Sequence, residues 1–205
     1  MSLIHNCVDL NHFKPALKSG KGSVERSVMT AGRHVRHKGI ENAIQAFQMI
    51  RRRVPELSLF VTGCGPETQR LRKVAEQAAS NVHFLGMVSD ERLRDCYANA
   101  ELFLYTPYGC EGLDNVILES LASGTAVIGY DFPHVRDGVR TGYNGYLVEP
   151  GDIESLVTHA LELLNDSSRL QRLSANARKT AEKEFCPELM SERVLSLYET
   201  LFPGN

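Results

Sequence analysis

Short apolar runs alternate with longer segments of helical periodicity along most of this chain. The runs are Val28–Gly32, Leu57–Gly63, Val82–Gly86, Ala100–Tyr105, Ala126–Tyr130 and Gly145–Val148. Each is nearly continuous in hydrophobicity, the pattern of a strand covered on both faces. Between them lie amphipathic segments. Gly39–Arg53 sets Ile40, Ala43, Ile44, Phe47 and Ile50 on one stripe. Pro66–Ala79 begins with a Pro suited to an early helical position. Ser89–Asn99 opens on an N-cap serine, with Arg92 where a full capping box would need an acid or amide. Leu113–Ser123 is closed by Gly124, and Asp152–Asn165 opens on an Asp cap. Two further helices, Ser168–Glu184 and Pro187–Leu201, follow with no strand between them. Alternation with short connections predicts an α/β domain of about six parallel strands, joined by right-handed crossovers and flanked by helices.

Ligands of such sheets gather beyond the carboxyl ends of the strands. The first run exits into Gly32-Arg33-His34-Val35-Arg36-His37-Lys38-Gly39 and the second into Gly63-Cys64-Gly65-Pro66. The third exits into Gly86-Met87-Val88 and the fourth into Thr106-Pro107-Tyr108-Gly109-Cys110-Glu111-Gly112. The polar and glycine-rich peculiarities of the chain therefore converge on one rim.

Composition narrows the classes. With 205 residues, 42% hydrophobic and 23% charged, the chain has the make-up of one globular domain. It contains no apolar run of membrane-spanning length and no signal-peptide core. Five scattered cysteines without a C-x-x-C pair suit a reduced, cytosolic protein without structural zinc, and the seven histidines form no i, i+4 pair with a nearby Glu. Cys110, beside the glycine-rich fourth exit, reads as a bystander thiol rather than a nucleophile. No G-x-S-x-G elbow occurs. The net charge of −2 argues against general nucleic-acid binding, but it is uneven. Residues 1–55 carry ten Lys/Arg and three Asp/Glu, against thirteen and twenty-two in the remainder. A basic early third suits a phosphate-rich ligand or an anionic membrane surface, and equally a solvated face.

Glu111 and Glu119, eight positions apart, frame the most informative stretch. If all eight steps were helical they would lie about 12 Å apart, too far for the paired carboxylates of a glycoside hydrolase. Glu119 instead shares a helix face with Asn115, beside whatever the N-terminus of that helix grips. A helix N-terminus offers unpaired N–H groups to a diphosphate, and a carboxylate on the same face can accept hydrogen bonds from ribose hydroxyls. Arg33 and Lys38 are two cations at a loop-to-helix junction, fit to hold a diphosphate or simply to be solvated. Gly63-Cys64-Gly65-Pro66 is half of a G-x-G-x-x-G pattern. It reads either as a tight strand-to-helix turn or as a place where a ligand approaches the backbone.

Taken in order, these motifs resemble a known family. They run Asn6-x-Val8-Asp9 with Phe13 and Pro15, Gly32-Arg33 with Lys38-Gly39, Gly63 to Pro66, and Val82 to Val88. Glu111-Gly112 with Glu119 and the trailing Leu121-Ala122-x-Gly124, Gly142 to Val148, and Pro150-Gly151-Asp152 follow. The set is similar to the donor-binding, C-terminal domain of retaining glycosyltransferases of family 4, also called group 1. The resemblance implies one Rossmann-like half of a GT-B fold. Residues 1–27 would be an interdomain linker or lead-in, 28–186 the nucleotide-sugar-binding domain, and 187–205 a C-terminal helix crossing back to an absent N-terminal half. It implies transfer of a hexose from a UDP- or GDP-sugar to a glycan, lipid or other acceptor, without a metal or other cofactor. The full-length enzyme would be cytoplasmic or peripheral at a membrane, and the isolated half inactive. Arg33 and Lys38 would bind the diphosphate, Glu119 the ribose, and Glu111 the donor sugar. The N–H groups of Leu113, Asp114 and Asn115 would cap the phosphates. Gly32, Gly63 and Gly112 would line the donor site, Val88 would lie against the base, and Gly65 would leave room for the ligand. Two departures stand out. Leu113 and Asp114 replace the usual Phe and Gly or Pro, and Tyr130 to Arg136 replace a common Gly-Gly-x-x-Glu. Asp114 would repel a diphosphate unless it turned outward. The alternatives are a GT-B-like sugar-nucleotide epimerase or phosphorylase, or a non-catalytic nucleotide-sugar-binding domain.

Overall fold

A computed structural model describes residues 3–16, 25–76, 81–109 and 112–202. Six strands form one parallel sheet: β1 (Ser27–Ala31), β2 (Ser58–Thr62), β3 (Val82–Gly86), β4 (Leu102–Tyr105), β5 (Ala126–Tyr130) and β6 (Gly145–Val148). Their order is β3-β2-β1-β4-β5-β6. The helices among the described residues are α1 (Ile40–Arg51), α2 (Thr68–Glu76), α3 (Asp90–Asn99), α4 (Asn115–Ala122), α5 (Ile153–Asn165), α6 (Ser167–Glu184) and α7 (Pro187–Leu201), with a 3₁₀ turn at Arg36–Lys38. Every apolar run of the sequence is a strand.

Alternate residues of each strand feed opposite cores, which is why the strands carry few polar positions. Val28, Leu59, Val61, Leu102, Leu104 and Ile128 pack with α1 and α5, through Ile44, Phe47, Leu156 and Leu163. Met29, Phe103, Tyr105 and Val127 pack on the other side with Tyr97 of α3, Ile117 and Leu121 of α4, and Ala177 of α6.

Two helix starts lie later than the sequence pattern puts them. Pro66 precedes α2 instead of opening it. Thr68 Oγ1 accepts from Gly65 N–H at 3.0 Å and donates to Gly65 O at 2.7 Å. The segment Gly65–Thr68 thus closes into its own turn before the helix begins; residues 77–79 of the expected helix fall outside the described residues. Likewise α4 starts at Asn115, because Asp114 keeps extended backbone (φ −67°, ψ 140°) as the N-cap. Leu113, before that cap, joins the same apolar cluster as Leu118, the two positions a hydrophobic staple uses.

The segment before β1 is fastened to the far core. Val8 N–H donates to Phe185 O at 2.9 Å. Arg178 of α6 donates to Phe13 O and to Ala122 O, each at 2.8 Å. By contrast α7 buries none of its residues and leaves Leu195, Tyr198 and Leu201 exposed, with Phe202 just beyond it. No helix is long and apolar enough to cross a membrane among the described residues.

Candidate functional site

The strand order reverses between β1 and β4, and a crevice opens outside their carboxyl ends, where a doubly wound sheet takes its ligands. Two adjoining hollows occupy it. One, of about 390 Å³, is lined by Asn6, Ala31, Gly32, Arg33, Lys38 and the stretch Leu113-Asp114-Asn115-Val116. The other, of about 240 Å³, is lined by Ala31, Gly32, Arg33, Thr62, Gly63, Cys64, Met87, Val88, Leu93, Tyr97, Val116 and Glu119. They share Ala31, Gly32, Arg33 and Val116.

The fold thus brings together nine residues singled out in the sequence: Gly32, Arg33, Lys38, Gly63, Val88, Leu113, Asp114, Asn115 and Glu119. Arg33 joins the two hollows. Lys38 and the start of α4 stand at the wider one, Glu119 and Val88 at the narrower one. Gly112 and Gly65 line neither hollow. Gly65 packs on the neighbouring strand exit. A Cβ there would lie 2.5 Å from His34 O, so its smallness lets two strand exits meet. Gly63 serves the same contact: its φ is +101°, and a Cβ would lie 2.0 Å from Gly32 O. Glu111 and Cys110 lie outside the described residues.

Asp114 carries a side chain that turns into the crevice. Lys38 Nζ donates to its Oδ2 at 2.6 Å, and Tyr105 Oη donates to the same oxygen at 2.7 Å. The carboxylate makes no cap bond to the N–H groups of α4. The first amides of that helix therefore face the wider hollow without a side-chain cap, and the helix dipole points its positive end there. Since α4 begins at Asn115, the amide of Leu113 belongs to the loop and not to the helix end. Asn6, from the lead-in, donates through Nδ2 to Asn115 Oδ1 at 3.1 Å and ties that segment to the mouth of the site.

Glu119 sits one turn into α4. Burial pushes its carboxyl above the usual carboxylate range; the neighbouring Tyr97 draws it partly back, Asp90 adds to the rise and His12 opposes it. The Tyr97 hydroxyl is buried, with no partner in strict hydrogen-bond geometry. Burial also raises its pKa well above the ordinary value, with Glu119 contributing. Tyr97 and Tyr105 escaped the sequence reading. Tyr105 had a usable signal, a polar tip on the last residue of a strand at the ligand rim. Tyr97 had none, since its position depends on how α3 packs on α4. Among the described residues no group of three or more His, Cys, Asp and Glu is arranged to hold a metal ion.

A doubly wound parallel sheet with a polar crevice at its switch point, faced by a helix start without a side-chain cap, defines the chain as a Rossmann-like domain of the GT-B type. Residues 16–180 match the family described as glycosyl transferases group 1, and the chain belongs to that family. It is 27% identical, over 94% of its length and 54% of the relative's, to a GDP-mannose-dependent monoacylated alpha-(1-6)-phosphatidylinositol monomannoside mannosyltransferase of Corynebacterium glutamicum. Sucrose-phosphate synthase of Thermosynechococcus elongatus has a similar structure, with a TM-score of 0.87 and 25% identity over 98% of this chain and 52% of that one. HepE of Anabaena, solved in complex with UDP and glucose, shares the fold with a TM-score of 0.85 and 21% identity, over 97% of this chain and 56% of that one. The chain spans about half the length of the curated relatives it matches.

Proposed function

We propose that this chain is the donor-binding half of a retaining glycosyltransferase that moves a hexosyl group from a UDP- or GDP-sugar to a glycan, lipid or other acceptor. The observation that carries the reading is the convergence of Arg33, Lys38, the first amides of α4 and Glu119 along one crevice. In this reading the diphosphate lies in the wider hollow, against Arg33, Lys38 and the helix start. The nucleoside lies in the narrower hollow, with its ribose hydroxyls on the Glu119 carboxylate and its base along Val88. The donor sugar lies toward Gly112, and its contact with Glu111 is carried by the family resemblance alone. Fixed cations and a helix dipole stabilise charge as it builds on the departing diphosphate, a role that needs no rearrangement at the moment of reaction. The acceptor enters from an N-terminal half, with residues 1–27 as the link and residues 187–205 crossing back. The same half would bring any peripheral contact with a membrane.

Isothermal titration of the whole chain with UDP and with GDP tests the reading. One of the two binds in the micromolar-to-millimolar range, and Arg33→Ala weakens that binding roughly tenfold or more, as loss of a charge-assisted phosphate contact should. A folded chain that takes up neither nucleotide overturns it.

A further inference from the structure

The residue that sets Lys38 is not a neighbour in sequence but a carboxylate 76 positions away. Asp114 occupies the N-cap of α4, where an Asp ordinarily turns its side chain back onto the helix amides. Here it does not. Its Oδ2 is instead held from two sides, by Lys38 Nζ at 2.6 Å and by the hydroxyl of Tyr105, a residue only 4% exposed at the end of β4. Both members of the ion pair are largely covered, with side-chain exposures of 21% for Lys38 and 26% for Asp114. Water screens such a pair less than one on an open surface. The charged residues lining the wider hollow are Arg33, Lys38 and Asp114, so its formal charge is +1 and not +2.

From this geometry we infer that Asp114 is a built-in counter-anion for Lys38, which the diphosphate of the donor must displace and which reclaims the lysine when the nucleoside diphosphate leaves. The inference rests on the donor-site reading above and adds to it a device for release. An ammonium can turn its three donors from one oxygen to another without moving its stem far. Exchange of a carboxylate oxygen for a phosphate oxygen therefore costs little reorganisation. The internal anion lowers affinity for every diphosphate, product included, and so shortens the product's stay. Tyr105 keeps the displaced carboxylate within reach, because its hydroxyl holds Oδ2 independently of Lys38.

Asp114→Asn separates the charge from the fold, since Asn caps a helix about as well as Asp. The experiment titrates inorganic pyrophosphate, UDP and GDP into four forms of the whole chain: unaltered, Asp114→Asn, Lys38→Ala and the double variant. Asp114→Asn is expected to bind diphosphates about tenfold more tightly, with slower dissociation in stopped flow, in line with the coupling of a close charge pair. In the Lys38→Ala background the same substitution is expected to change affinity less than about twofold, because the competitor then has nothing to hold. Unchanged or weaker binding by Asp114→Asn, while the unaltered chain binds, overturns the counter-anion and leaves the donor site standing. An equal gain with and without Lys38 also overturns it, as general repulsion rather than competition for the lysine. Failure of all four folded forms to bind any of the three ligands removes the donor site and the inference together.

Discussion

Glu119 shows what the burial of one carboxyl does to stability, and what the proposed donor site would ask of it. Burial raises its carboxyl, so the folded state penalises the charged form. The sign follows: its contribution to stability is full below the unfolded pKa and is lost as pH rises through the raised folded pKa. Glu119→Gln removes that loss. We expect it to raise the melting temperature at neutral pH by on the order of 2 °C, with the difference closing in acid, as followed by calorimetry across pH. The same variant is expected to weaken UDP or GDP roughly tenfold, since a neutral amide is a poorer acceptor for ribose hydroxyls, while pyrophosphate, which has no ribose, binds as before. For unaltered protein, nucleotide affinity falls as pH drops through the raised Glu119 value. A Gln variant that melts lower at neutral pH, or that loses pyrophosphate as well, contradicts this account. Asp114 makes the complementary point. The sequence flagged it as an anion beside the proposed phosphate site, but its direction was not legible, because Lys38 and Tyr105, which donate to it, come from other elements.

At the scale of elements, the rim depends on backbone approaching backbone. The exits of β1 and β2 touch through Gly63, whose left-handed φ and 2.0 Å approach of an added Cβ to Gly32 O leave no room for a side chain. Gly63→Ala is expected to cost about 2–4 kcal/mol in urea unfolding, from the left-handed conformation and the overlap combined. Gly112 provides the contrast: a Cβ there meets nothing within 4 Å. Gly112→Ala should stay within about 0.5 kcal/mol of the parent. The difference explains what could be read in advance. Strands and helices announce themselves through local periodicity, so β3, β5, β6 and α7 begin and end where the pattern puts them. The starts of α2 and α4 slipped because Thr68 and Asp114 make contacts that periodicity does not encode. The strand-exit rule put Arg33 and Lys38 on the rim, and the helix face shared with Asn115 put Glu119 beside it, without naming their neighbours. The packing of Gly65 against His34 was not legible, because the sequence does not state that His34 passes behind it.

For the molecule as a whole, the uneven use of apolar surface says which face is finished. Both sheet faces are covered, and the lead-in is pinned by Arg178 to Phe13 O and Ala122 O. Yet α7 has no fully buried residue, only half-buried Leu189, Met190, Val194 and Leu197, and Leu195, Tyr198 and Leu201 stand exposed with Phe202 beside them. Three large side chains at spacings of three residues form a stripe along one helix, which a solvated helix has no physical reason to carry. The proposed N-terminal half gives that stripe an occupant, and a prediction separates it from a merely tolerated surface. Leu195→Ser with Tyr198→Ser should leave urea unfolding of this chain within about 0.5 kcal/mol of the parent, because neither side chain touches its core. In a longer protein carrying the N-terminal half, the same pair should detach α7, seen as faster amide exchange along residues 187–201 and as reduced sugar transfer. The present chain should bind nucleotide yet transfer no sugar, since transfer requires donor and acceptor held together. Measurable transfer by this chain would show that the catalytic cleft is complete without a second half. Unaltered exchange and activity in the longer variant would show that α7 packs against nothing.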